Sequence, residues 1–554
     1  QDNPVLIVGQ PKNLSQITFE TIKIKLEPRV SAETYQAAVN ALHPSPTDST
    51  PLWLNNATVA ALPVKCSRHN TPSSAHSLSK IVKSCLVGGD EYVVVVCEKK
   101  DVVASAAGVA RVLPLFSAKS CQSSTSRKVM VEFLLVGPEK ERTLLDSDIN
   151  CLHALAFSVR LSAKIVDAPC ADMHTNIFLD EIRKVGEELD ITPMIIQGEE
   201  LRDRGFGGIY NVGKAAVNAP ALAVLSHKPE GAKRTVAWVG KGIVFDTGGL
   251  CIKAKAGMCG MKRDCGGAAA ILGAFYLAVK SGFQDNLHAV FCLAENAVGP
   301  SALRPDDIIT LYSGKTVEIN NTDAEGRLVL GDGVAYANKD LKADIVVDMA
   351  TLTGAQGIAT GKYHASIVTN NEDWEIACVH AGKTSGDLVH PMPYSPELHY
   401  CEFSSTLADM KNSVADRSNC QVSCAGLFIA SHLGFEFPGV WLHIDMASPV
   451  HNGERATGYG VALLNALFGG RSLNPLLQSV APPIPYEAFS SETKADGAKK
   501  IKLNNERALL NALFGGRSLN PLLQSVAPPI PYEAFSSETK ADGAKKIKLN
   551  NEIE

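Results

Sequence analysis

A chain of 554 residues is longer than one ordinary hydrophobic core supports, so two or more domains are expected. Apolar residues make up 45% and charged residues 20%, and 53 Lys and Arg against 58 Asp and Glu leave a net charge of -5. That is a globular composition, and it gives no reason to expect nucleic acid or an anionic membrane as the main partner. The longest apolar runs, such as Tyr92–Cys97, fit buried strands and fall short of a bilayer span. Gln1-Asp2-Asn3-Pro4 shows no basic stretch leading into an apolar one, so no secretory signal is expected. The fourteen cysteines include no C-x-x-C pair and read as reduced thiols of a cytoplasmic protein.

Residues 1–165 mix short strands (Val5–Val8, Tyr92–Cys97, Val129–Val136) with helical stretches and Ser/Thr/Pro-rich loops, which predicts an N-terminal α/β domain. His69 and His76, in or beside the second of these loops, read as ordinary surface histidines. Apolar residues at Leu152, Leu155, Ala156, Val159, Ala163 and Val166 form a helical stripe that Pro169 stops, and the domain connection is placed there. Over residues 166–478 strands alternate with helices, which predicts an α/β domain with a mixed, mostly parallel sheet covered by helices. Strand-like runs at Val236–Val239, Ala289–Leu293, Val317–Ile319, Ile345–Val347 and Trp441–Ile444 each end in small or charged residues. In open α/β sheets that carboxyl edge is where ligands bind. Residues 479–554 form a C-terminal tail, in which Ala462–Glu506 recurs without a substitution as Ala508–Glu552, joined by Arg507. Two identical copies point to a recent duplication or an assembly error rather than a stacked repeat. Only one copy has a place against the second domain, so the other is expected to be loosely attached and is assigned no function.

The run Asn321-Thr322-Asp323-Ala324-Glu325-Gly326-Arg327 lies between two apolar segments, an odd place for charge, because buried carboxylates without partners are costly. It has two readings. One is a capped turn opening a helix, with Glu and Arg on its solvated first turn. The other is a metal site, in which Asp323 and Glu325, two apart in an extended segment, face the same way. Upstream, Lys241, Asp246, Lys253 and Asp264 fall in a glycine-rich setting in which phosphate-loop, dinucleotide, serine-hydrolase and H-E-x-x-H patterns all fail. Asp264 also reads as an N-cap. Lys241 and Asp246 would point to opposite faces of a regular strand, so they converge only if the glycines bend the chain.

Taken together, Lys241, Asp246, Lys253, Asp264 and the run Asn321–Arg327 match in order and spacing the signature of the leucyl aminopeptidase family of dinuclear metallopeptidases, which the chain resembles from near its N-terminus to about Phe468. The resemblance implies a metal-dependent aminopeptidase that hydrolyses the N-terminal peptide bond of short peptides, apolar first residues preferred, with two divalent metal ions (Zn2+ or Mn2+) per subunit. By the same resemblance Asp246 and Glu325 bridge the ions, Lys241 and Asp264 complete the tighter site, and Asp323 completes the more exchangeable one. Lys253 stays charged and stabilises the oxyanion, and Arg327 holds a bicarbonate that acts as general base. Met261 resembles a wall of the side-chain pocket, and Thr351, Leu352 and Gly354 the strip lining the substrate side. A homohexamer is implied as well. Cys259, in the loop before Asp264, and Gly331, where alanine is usual, depart from the pattern without removing a ligand. In a helix such a glycine costs about 1 kcal/mol relative to alanine. Two alternatives stand beside this reading: a catalytically weak member with a structural or nucleic-acid-binding role, and a two-metal phosphoesterase, against which the lysine ligand and the lack of histidine in the motifs argue.

Overall fold

The computed structural model describes residues 3–54, 56–120 and 128–484, so the second copy of the duplication lies outside the described residues. The N-terminal sheet has five strands in the order Asp48–Leu52, Ala57–Ala61, Val5–Gly9, Glu91–Glu98 and Val129–Val136. Val5–Gly9 pairs in parallel on both sides and is buried throughout, which is why its sequence is continuously apolar instead of alternating.

Helix Asp146–Asp167 follows, 22 residues long and apolar enough by length and composition to cross a membrane. It is not a continuous apolar run, since His153, Arg160 and Lys164 interrupt it. In the fold its apolar face is covered instead: Leu155, Val159, Ile165 and Val166 are buried, and the helix lies so close to helix Gly266–Lys280 that a Cβ on Gly273 would stand 2.6 Å from the Ser158 carbonyl.

The second sheet has eight strands in the order Val389–Pro391, Ala365–Thr369, Val440–Asp445, Ile345–Ala350, Thr235–Asp246, Asn286–Asn296, Ala221–His227 and Met194–Gln197. Its four central strands run parallel and its remaining pairings are mixed, so the expected α/β class holds. Alternation along Thr235–Asp246 sorts the helices onto the two faces. Trp238 packs towards Phe283 and Phe468, and a Cβ on Gly240 would meet Ala268 of helix Gly266–Lys280 at 2.6 Å. Ala237, Val239 and Ile243 turn the other way, into a core shared with helices Gly326–Lys339 and Gln421–Leu433.

One strand of the expected rim lies elsewhere. Thr316–Glu318 belongs to a separate three-stranded sheet with Ile308–Thr310 and Met410–Lys411, so the motif after it approaches the rim from the side. Gly331 is helical, and an added Cβ would meet Leu311 Cδ2 at 2.8 Å and His432 Cδ2 at 3.0 Å, so here an alanine would have to push these side chains aside. His76 is not a surface histidine. Its ring lies 5.0 Å from that of Tyr363, and burial holds its imidazole down at about 3.

His432 is buried with Nδ1 2.7 Å from Ser313 Oγ, and burial holds it down at about 3. An unfolded histidine titrates near 6.5, so below that pH the unfolded state carries the extra proton and acid favours unfolding; the stability contributed by neutral His432 is present above about 6.5 and is lost as pH falls towards the folded value. Asp332, whose carboxyl burial pushes up to about 7, acts in the opposite sense, so the test is differential. Relative to His432→Asn, which keeps a polar atom near Ser313, the wild type is expected to lose about 1.4 kcal/mol of stability per pH unit below roughly pH 6. Denaturant titrations at pH 7, 6 and 5 check this, and a constant difference between the two proteins would contradict it.

Candidate active site

The site forms where the parallel strands end. Lys241 is on the strand face that looks towards helix Gly326–Lys339, and a regular strand would send Asp246 to the other face. The ladder to the neighbouring strand resolves this. Lys241 pairs with Cys292, Ile243 with Ala294 and Asp246 with Asn296, so between Ile243 and Asp246 this strand spends one residue more than its partner. That bulge turns Asp246 back onto the face of Lys241. The bend therefore lies after the glycines at 240 and 242, not at them.

The run Asn321–Arg327 is neither wholly of the two shapes open to it. Thr322 and Asp323 form a turn, Glu325 is the helical residue before Gly326–Lys339, and both carboxylates still reach one side. They converge because the chain turns between them, not because an extended segment alternates. Gly326 is dictated by Lys241: an added Cβ would stand 2.7 Å from its Nζ. Asp264 sits in the turn Met261–Cys265 and caps nothing, since its carboxylate serves Lys241 and Thr351.

Lys241 Nζ lies 2.7 Å from Asp264 Oδ1, 2.9 Å from Glu325 Oε1 and 3.0 Å from the Thr351 carbonyl. Burial works against its ammonium, but Asp264, Glu325 and Asp246 outweigh it and raise its pKa above the ordinary value. Lys253 Nζ lies 2.7 Å from Asp246 Oδ2 and also contacts Asp323; its pKa too is raised, the carboxylates outweighing burial. Burial and then Asp246 push the Glu325 carboxyl up to about 8, and burial raises Asp264. The cluster is thus short of positive charge: four carboxylates share two lysines, and Asp264 Oδ2 and Glu325 Oε2 are buried without a hydrogen-bond partner. Asp246, Asp323 and Glu325 each offer an oxygen within 4.8 Å of the others. Such a donor set fits divalent cations. Arg327 donates from Nη1 to the Asn412 carbonyl at 3.0 Å, while its Nε is buried and unpartnered; burial lowers its pKa to about 10.

A cavity of about 440 Å³ opens on this cluster. All of the residues named from the sequence line it: Lys241, Asp246, Lys253, Asp264, Asp323, Glu325 and Arg327, with Met261, Thr351, Leu352 and Gly354 around them. The Thr351 hydroxyl is itself engaged, donating to Asp264 Oδ1 at 2.9 Å. Sequence reasoning passed over three supporting residues. Asn296 donates to Asp246 Oδ1 at 2.8 Å and to the Thr322 carbonyl at 3.1 Å. Asp445 accepts from the amides of Leu352 and Thr353 and from the Thr353 hydroxyl, holding the strip beside the cavity. Asn412 braces the motif itself. Asn296 and Asp445 end parallel strands at the carboxyl edge, a position that marks them in the sequence.

A buried carboxylate cluster with two lysines and an arginine, at the carboxyl edge of a mixed sheet preceded by a smaller α/β sheet, is the arrangement of a metal-dependent aminopeptidase. Residues 160–465 match the catalytic domain of the cytosol aminopeptidase family and residues 3–122 match M17 aminopeptidase N-terminal domain 2, so the chain belongs to that family. It is 63% identical over 485 residues to the mouse protein named Probable aminopeptidase NPEPL1, covering 87% of this chain and 92% of that one. It is 43% identical over 480 residues to Leucine aminopeptidase 1 of Caenorhabditis elegans, covering 86% and 96%. The solved structure of the C. elegans leucine aminopeptidase superposes with a TM-score of 0.81 at 41% identity, covering 86% of this chain and 96% of that one. A Trypanosoma brucei leucyl aminopeptidase in complex with bestatin gives 0.75 at 38%, covering 83% and 90%.

Proposed function

We propose that this aminopeptidase removes apolar N-terminal residues from short peptides, and that two divalent cations would be held by Asp246 and Glu325 in common, with Lys241 and Asp264 serving one ion and Asp323 the other. The observation that carries the reading is the pair of buried, unpartnered oxygens on Asp264 and Glu325 within a cluster that has more carboxylates than cations. When bound, the ions supply a polarised scissile carbonyl and a water of lowered pKa. Asp264, Glu325 and Asp246 raise the Lys241 pKa, so Lys241 would serve as a nitrogen ligand only where the charge of divalent cations among those carboxylates displaces its proton. Lys253, less buried and facing Asp246 and Asp323, keeps its charge and stabilises the oxyanion as the carbonyl carbon becomes tetrahedral. Arg327, whose buried Nε has no hydrogen-bond partner, would hold a bicarbonate, which would supply a general base that the motifs, without a histidine, lack. Met261, Leu352 and Gly354 border the space for the first side chain and Thr351 holds Asp264 in place.

Oxygen donors suit Mn2+ and the lysine nitrogen suits Zn2+. The family likeness extends the proposal to a homohexamer in the cytoplasm. The test is release of the N-terminal residue from a panel of peptides by metal-free protein to which Zn2+ or Mn2+ is returned, with metal content measured alongside. Turnover is expected only with metal present and to be fastest with leucine-like first residues. No turnover with two ions bound would sink the proposal.

A further inference from the structure

The run Ala408–Arg417 lies 80 to 90 residues beyond the metal-ligand motif and contains no residue assigned to the chemistry. Met410–Lys411 pairs in parallel with Thr316–Glu318, and where this short ladder ends the side chain of Asn412 takes its place. Asn412 is fully buried. Its Oδ1 accepts from the amides of Asn320 at 3.0 Å and Asn321 at 3.2 Å, and its Nδ2 donates to the carbonyls of Asn321 at 2.6 Å and Ala324 at 3.3 Å. Two amide donors on one side and two carbonyls on the other leave one orientation of the side chain. Its own amide donates to the Glu318 carbonyl at 3.1 Å, and its carbonyl accepts from Arg327 at 3.0 Å.

The turn that carries Asp323 and delivers Glu325 cannot take part in a strand ladder, yet its backbone is largely buried and its polar groups need partners. One amide side chain satisfies four of them. No other residue type of this length has both the acceptor and the paired donors. We infer that Asn412 is the positioning residue of the metal centre: it sets the conformation of Asn320–Ala324, and with it the place of Asp323, while its backbone anchors Arg327. The inference rests on the two-ion reading above. Partners that orient metal ligands typically cost roughly 10–100-fold in metal affinity or activity when removed.

The test uses the full chain and two variants. Asn412→Asp is nearly isosteric but turns a carboxylate oxygen towards the Asn321 and Ala324 carbonyls, and Asn412→Ser replaces the paired amide donors with a single shorter hydroxyl without adding charge. Should the first not fold, the second carries the test. Metal-free protein is titrated with Zn2+ and, separately, Mn2+ by calorimetry, and thermal midpoints are measured with and without ion. The variants are expected to keep one ion at wild-type affinity, to bind the second about 10-fold or more weakly, and to gain less thermal stability from added ion than the wild type. Their kcat is expected to fall about 10-fold or more with KM within about 3-fold. Two ions bound at wild-type affinity, with only the metal-free midpoint lowered, would show Asn412 to be structural alone and overturn the inference. A wild type that takes up no second ion overturns the two-ion reading and this inference with it.

Discussion

Glu325→Ala is expected to lower peptide hydrolysis about 10³-fold or more and to leave the protein holding at most one divalent ion per chain. Glu325 is nearly fully buried, with Oε1 2.9 Å from Lys241 Nζ and Oε2 unpartnered. In the proposed arrangement it touches both ions, so its loss opens both shells at once. The variant also relieves a conflict. Burial and Asp246 push the Glu325 carboxyl up to about 8, so without cations the group is poorly placed as an anion. Removing it is therefore expected to cost little stability in metal-free protein, while the stabilisation gained on adding metal shrinks. Hydrolysis assays, metal analysis and thermal midpoints with and without ion check the three statements together. Near-normal turnover by the variant would remove Glu325 from the bridging position.

Lys253→Ala is expected to lower kcat by about 10²- to 10³-fold, the range for removal of one oxyanion-stabilising donor, with both ions retained. The retention is what separates the assigned role from a ligand role. Lys253 is paired with Asp246 and Asp323, so in the variant these two carboxylates lose a cation, and their hold on divalent ions should be unchanged or tighter. Steady-state kinetics on a leucyl peptide, with the metal content of the same sample, decide the matter. Loss of an ion together with activity would recast Lys253 as a residue that assembles the site.

The residues that gather around the cavity were legible in the sequence because their spacing is tied to the backbone that holds them. Gly326 stands beside Glu325 because Lys241 fills the space of its missing Cβ, and the two carboxylates of Asn321–Arg327 flank a single small residue because one turn delivers both. The alternation of strands and helices over residues 166–478 was legible too, since a sheet covered on both faces requires continuous apolar strands such as Ala289–Leu293. His76 was misread for the converse reason. A polar, Ser-rich stretch looks solvated, and only the segment around Tyr363 packing onto it makes the ring half-buried.

By itself, then, the amino-acid sequence determined the α/β class and the set and order of the residues proposed as donors, because those depend on residue identity and local periodicity. Tertiary structure alone decided how the donors meet. A one-residue bulge between Ile243 and Asp246 reverses a side chain that strict alternation sends the wrong way, and no residue type announces it. The strand before the motif belongs to a side sheet, because it pairs with the neighbouring Ile308–Thr310 in a hairpin and with Met410–Lys411, far away in the chain. For the same reason the bracing role of Asn412 is invisible in sequence. A buried asparagine differs from an exposed one only by the backbone groups folded around it, and those come from about ninety residues away.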